Sequence, residues 1–221
     1  MFLDINDPWV RWDWVGDHLD DIAGDLAQHI ELTVIAVVVG LMLSLPAGVL
    51  AYRVRATRSP LLATASVLYT IPSLALFSLL LPLTGLSVLT AEIGLVIYTL
   101  VILTRNVVVG LERVPPEVRD AATGMGYRPM ARLLRVELPI ALPVIIAGVR
   151  IATVTTIGLV TITALLGQGG LGQLINDGLL RDFRTPLVVG GALSVVLAIV
   201  ADMGLAGLQR MLTPWALARS S

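Results

Sequence analysis

Cysteine is absent from this 221-residue sequence, and so is lysine: all fifteen basic residues are arginine. Without a thiol the chain can form no disulfide framework, zinc ribbon or thiol-based centre. The only histidines, His18 and His29, are eleven residues apart and lack ligand-type neighbours. No metal site is expected, and both are read as solvated interfacial side chains. Aromatic residues amount to 5%, which provides no obvious cage for a quaternary ammonium. The apolar segments hold no clustered His, Asp, Glu or Ser constellation, so no catalytic residue is expected, and no nucleic-acid partner. The one glycine-rich run, Gly167-Gln168-Gly169-Gly170-Leu171-Gly172, lacks a Gly-Lys-Ser/Thr ending and follows an apolar block rather than a strand. It reads as a turn that lets the chain re-enter or skirt a membrane, and no cofactor is assigned to the chain.

What is present sets the class. Hydrophobic residues make up 56% and charged residues 14%, with a mean hydropathy of +0.88. These values describe an integral membrane protein. Five apolar blocks approach or exceed the ~20 residues that cross a bilayer, at about 30–52, 61–83, 88–111, 138–166 and 186–211. An all-α membrane domain over 30–211 follows, with a first segment, 1–29, and a short tail, 212–221. Residues 1–31 hold eight of the sixteen acids (Asp4, Asp7, Asp13, Asp17, Asp20, Asp21, Asp25 and Glu31) against one base, Arg11. Lacking a basic start and an early apolar core, that segment is no signal peptide. Trp9, Trp12 and Trp14 suit an interfacial helix between Trp9 and Gln28, among lipid headgroups.

Arginine placement orients the spans. Arg53, Arg55 and Arg58 follow the first block; Arg105, Arg113, Arg119, Arg128, Arg132 and Arg135 surround the third connection; Arg210 and Arg219 follow the fifth block. Only Arg11, Arg181 and Arg184 fall on the opposite side. The positive-inside rule places the N-terminus outside, and the C-terminus and residues 112–137 in the cytoplasm.

That third connection is a polar island between apolar blocks. Pro115-Pro116 can open a helix where the first turn needs no donors, and Glu117 and Asp120 sit near its positive end. A helix over about 117–123 follows, ended by Gly124 and Gly126, the latter suited to the positive φ of a C-terminal cap. Ala121 and Ala122 provide a small-residue face for close docking. The spacing Asp120-Ala121-Ala122, Gly126, then Val136 and Leu138-Pro139 resembles the EAA loop of ABC importer permeases, with Asp in place of Glu and Val in place of Ile.

Thr70-Ile71-Pro72-Ser73-Leu74-Ala75-Leu76, Arg105-Asn106, Leu165-Leu166-Gly167 and Gly169-Gly170-Leu171-Gly172 resemble the osmoprotectant branch of that family, over about 30–211. The resemblance implies a methionine-importer-type permease fold of about five helices, multi-pass in a bacterial cell membrane. It also implies transport of glycine betaine, choline, carnitine or proline, the alternative being another small solute such as an amino acid. Implied partners are cytoplasmic ABC ATPase subunits that bind the ATP, a second copy or a homologous permease, and an extracytoplasmic substrate-binding protein. As the chain ends at Ser221, that protein is expected to be separate. Glu117, Asp120, Ala121, Ala122, Gly124, Gly126, Leu138 and Pro139 are the expected ATPase-coupling residues.

A secondary transporter would need embedded ionisable groups and often internal repeats, and the candidates number three: Glu92, Arg150 and Asp202. Arg150 and Asp202 each fall roughly 12–18 Å from the cytoplasmic side at 1.5 Å per residue, so they are expected to face the bundle interior and satisfy each other or nearby backbone carbonyls. Pro46, Pro72 and Pro143 are expected to kink spans, and Gly40, Gly48, Gly148, Gly158, Gly190 and Gly191 to permit close packing.

Overall fold

The computed structural model describes residues 8–217, so Asp4, Asp7 and Arg219 lie outside the described residues, with the ends of both terminal segments. Every regular element among the described residues is helical. A short α1 (Trp12–Asp17) leads into α2 (Leu19–Arg53), followed by α3 (Arg55–Thr70), α4 (Ser73–Thr84) and α5 (Val88–Glu112). The polar island forms α6 (Pro116–Gly124) and one turn of α7 (Pro129–Arg132), which runs through a π turn (Leu133–Glu137) into α8 (Leu138–Ile162). A 3₁₀ turn (Thr163–Leu166), α9 (Leu171–Leu180), α10 (Arg184–Leu212) and α11 (Pro214–Leu217) complete the chain. Among the described residues, four helical stretches are long and apolar enough to span a bilayer, or five when α3 and α4 count as one broken span.

Two compact units divide these elements. The first draws on Met1–Val37, Ile71–Val96 and Thr153–Ala201, the second on Val38–Thr70, Ile97–Ala152 and Asp202–Ser221. In the first, Phe77 packs with Leu32, Ala36, Leu95 and Val160, and a satellite of Ile22, Leu171 and Leu174 takes up Trp14. In the second, Val107, Leu111, Leu133, Ala141 and Ile145 form the core.

Several sequence expectations are corrected. The first span does not begin near residue 30: α2 starts at Leu19, with Asp20 and Asp21 in its first turn where the helix dipole favours acids. The helix expected between Trp9 and Gln28 is divided between α1 and the start of α2; Trp9, before α1, and Trp12 on it are exposed, while Trp14 stacks on His18 at 4.2 Å and meets Phe183 edge-on at 5.6 Å. The second span is interrupted rather than kinked, because Pro72 lacks the N–H to continue α3 and disfavours helical geometry at Ile71. Helix also resumes at Pro129, nine residues before the expected start of the fourth span.

His29 is a further correction. It is fully buried, its Nε2 paired with the Ile157 carbonyl at 3.0 Å, because α2 extends far enough for this turn to pack against α8 and Gly170. His18 is half-buried, held to the Trp14 carbonyl. Gly158 and Gly191 face open space, so close packing falls to glycines such as Gly48, against Val107, and Gly148, against Asn106.

The glycine-rich run is a tight turn fixed onto α2. Gly167 and Gly170 have positive φ, and Gln28 accepts from the Gly170 N–H at 2.8 Å and donates to Gln168 at 3.3 Å. A Cβ on Gly170 would lie 2.6 Å from the His29 nitrogen. Gly170→Ala is therefore expected to destabilise the subunit, by about 1–3 kcal/mol from backbone conformation alone. Thermal unfolding in detergent reads this directly, and an unchanged midpoint would contradict the packing described.

Candidate functional site

The polar island is built as a rigid body in the second unit. Pro116 is the first residue of α6 and Pro115 its cap, the Pro115 carbonyl accepting from Val118 and Arg119. At the other end Gly126 adopts φ +84, its N–H bonded to the Thr123 carbonyl while the Tyr127 N–H bonds that of Ala122. These two bonds form a Schellman cap, which requires the left-handed residue that glycine supplies at least cost.

Glu117, Asp120, Ala121 and Gly124 are exposed on α6. Ala122 is not: it is 1% exposed, turned into the chain's own packing, which corrects its expected place on a docking face. In a helix of 3.6 residues per turn, adjacent positions lie about 100° apart, so both alanines cannot share one narrow face. Leu138 opens α8 and packs on the second unit's core, and Pro139 lies half-buried beside it. Pro139 cannot donate back to Arg135, and the helix widens there: the Leu138 N–H bonds Leu133, five residues back.

Side chains that sequence reasoning did not single out fasten this loop. Glu137 is 2% exposed and paired with Arg132 at 2.6 Å. Arg132 also donates to Thr123 in α6 at 2.8 Å. Arg119 donates to the Tyr52 hydroxyl at 2.8 Å, and Arg53 to the Pro129 carbonyl at 2.7 Å. The loop is thereby bound to the end of α2 and the start of α8. A charge at the mouth of an apolar run, five residues after an arginine, is the signal that could have marked Glu137, because the π turn brings positions i and i+5 together.

Deeper in the second unit, Arg150 on α8 and Asp202 on α10 form a bidentate pair, Nε to Oδ1 and Nη2 to Oδ2, both at 2.8 Å. Gln209 joins them, accepting from Arg150 at 3.3 Å and donating to the Pro143 carbonyl at 3.1 Å. The two side chains remain 31% and 38% exposed. Glu92 stands apart on α5 in the first unit, buried, with no partner for either carboxylate oxygen among the described residues. No group of acids and histidines suited to a metal is found among the described residues.

Residues 36–214 match the family described as binding-protein-dependent transport system inner membrane component. The chain belongs to that family. This permease is 40% identical over 203 residues to the osmoprotectant import permease protein OsmW of Salmonella typhimurium, covering 88% of this chain and 94% of that one. It is 35% identical over 188 residues to the choline transport system permease protein OpuBB of Bacillus subtilis, covering 85% and 86%. The fold matches a chain of the inward-facing MetNI methionine ABC transporter with a TM-score of 0.81 at 22% identity, over 89% of this chain and 98% of that one. The methionine-importer-type permease fold is therefore the fold of this permease.

Proposed function

We propose that this permease is the membrane-spanning subunit of an ATP-driven importer of osmoprotectants such as glycine betaine, choline, carnitine or proline. An external binding protein delivers the solute, and cytoplasmic ATPase subunits bind and hydrolyse the ATP. The observation that carries this reading is the braced loop around α6. Its exposed residues Glu117, Asp120, Ala121 and Gly124 offer a short acidic, small-residue face, while Arg119, Arg132 and Arg53 lock the loop to α2 and α8. Such a body moves as one piece when a partner pulls on it, and α8 moves with it, which is a lever between two states rather than chemistry at the site.

A second permease, identical or homologous, covers the Arg150–Asp202 face. A half-exposed ion pair cannot rest against hydrocarbon; it belongs at a protein interface or a watery pathway. The N-terminus lies outside, with α6 and the C-terminus in the cytoplasm. A cysteine probe within 177–184 should label from outside sealed cells, and one at Arg128 should not. Equal labelling of the two would overturn the orientation.

The substrate class is tested on the partner: calorimetric titration of the cognate binding protein with glycine betaine, choline, carnitine and proline should show saturable binding of at least one. Binding of none, with tight binding of an unrelated solute, would overturn the osmoprotectant reading.

A further inference from the structure

Between α3 and α5, within the second unit, lies a cavity of ≈ 580 Å³. Its lining includes Ser66, Tyr69, Thr70, Val101, Arg105 and Asn106, and Arg105 is the one charged residue among those that line it. Sequence position alone counts Arg105 with the cytoplasmic arginines, yet the structure places it inside α5, seven residues before Glu112. It makes no ion pair or hydrogen bond among the described residues. The neighbouring donors are committed: Ser66 donates to Leu62, Thr70 to Val67 and the Asn106 amide to Ile102, each within its own helix. Arg105 is exposed and lines the cavity with no carboxylate beside it, and a charge of that kind within a span marks a ligand path.

The other end of the cavity is aromatic. Tyr69, 51% exposed, meets Tyr98 edge-on with ring centroids 6.1 Å apart. Tyr98 precedes Arg105 by seven residues on α5, about 10.5 Å of helix rise on one face. A ring open to the cavity attracts a poorly hydrated cation, while the guanidinium attracts a planar carboxylate in two-point fashion. No acidic residue lines the cavity to repel the carboxylate.

We infer that this cavity is a transmembrane subsite for a zwitterion, with Arg105 taking the carboxylate and Tyr69 the quaternary ammonium. The inference rests on the import function proposed above and adds a site where the membrane subunit itself distinguishes solutes. Glycine betaine carries both groups, whereas choline carries the ammonium and no carboxylate.

The test uses the complete transporter in proteoliposomes, with uptake rates of glycine betaine and choline measured at saturating loaded binding protein so that delivery is not limiting. Arg105→Gln is expected to lower the betaine rate relative to choline by about tenfold or more, in the range that follows loss of a specific polar contact. Arg105→Lys should restore part of that ratio. Ser66→Asp, which puts a carboxylate on the cavity lining from α3 to repel the solute's own, should lower the ratio in the same direction and covers the case in which Arg105→Gln does not assemble. Tyr69→Ala should slow both solutes together. A betaine-to-choline ratio unchanged in Arg105→Gln and Ser66→Asp overturns the subsite while leaving the import function standing. Transport of neither solute by the unsubstituted complex overturns the import function, and the subsite with it.

Discussion

Ala121→Trp is expected to abolish ATP-driven uptake while leaving the subunit folded. Ala121 is exposed on α6, so an indole there displaces nothing in the chain's own packing. It would instead stand between α6 and the ATPase surface that must approach it. Loss of ATPase association by roughly 30-fold or more is expected, the scale of a disrupted interface centre. Co-purification of the ATPase reads the association, and uptake in proteoliposomes reads its consequence. Ala122→Leu should behave differently: with 1% exposure that side chain meets the loop's own interior, and overpacking costs about 1–3 kcal/mol of stability. Gly126→Val strains the left-handed cap by about 1–3 kcal/mol, in open space with nothing within 4 Å of the new Cβ. If Ala121→Trp kept its ATPase and transported normally, the loop would be an ordinary connector.

The second large effect concerns the intramembrane pair. Asp202→Ala leaves Arg150 with Gln209 as its side-chain partner, in a span that offers no other carboxylate near it. Uptake should fall about tenfold or more, and the exchange Arg150→Asp with Asp202→Arg should recover much of it, since contacting residues couple strongly. Recovery distinguishes an ion pair from two separate roles. Equal loss in the single and exchanged variants would show that each charge serves something other than its neighbour.

Local chemistry made some of this visible in the sequence. Pro115-Pro116 and Gly124-x-Gly126 bracket a helix whose ends need no tertiary information, and α6 spans Pro116–Gly124 with Gly126 at positive φ. Arg150 and Asp202 stand out as charges in apolar runs, and the cost of isolating them argues for a partner. The rest depended on distant packing. His29 looks like a solvated residue at the edge of a span until α2 is seen to start at Leu19, and its burial rests on a carbonyl at Ile157. Pro72 could have stayed inside a continuous helix as Pro46 and Pro143 do in α2 and α8; the break at this site is a choice between two permitted outcomes. Ala121 and Ala122 are chemically alike, and only the direction in which α6 faces the chain separates a docking residue from a core residue. Glu137 needed the π turn to bring it to Arg132.

The most direct measurement is ATP-driven uptake of labelled glycine betaine and choline into proteoliposomes containing this permease, its partner permease, the ATPase and the binding protein. Accumulation of at least one solute that requires both ATP and the loaded binding protein, and that disappears with Ala121→Trp, is the expected result. Uptake that persists without ATP or the ATPase would contradict the account, because the pathway would then be driven by something other than the lever at α6.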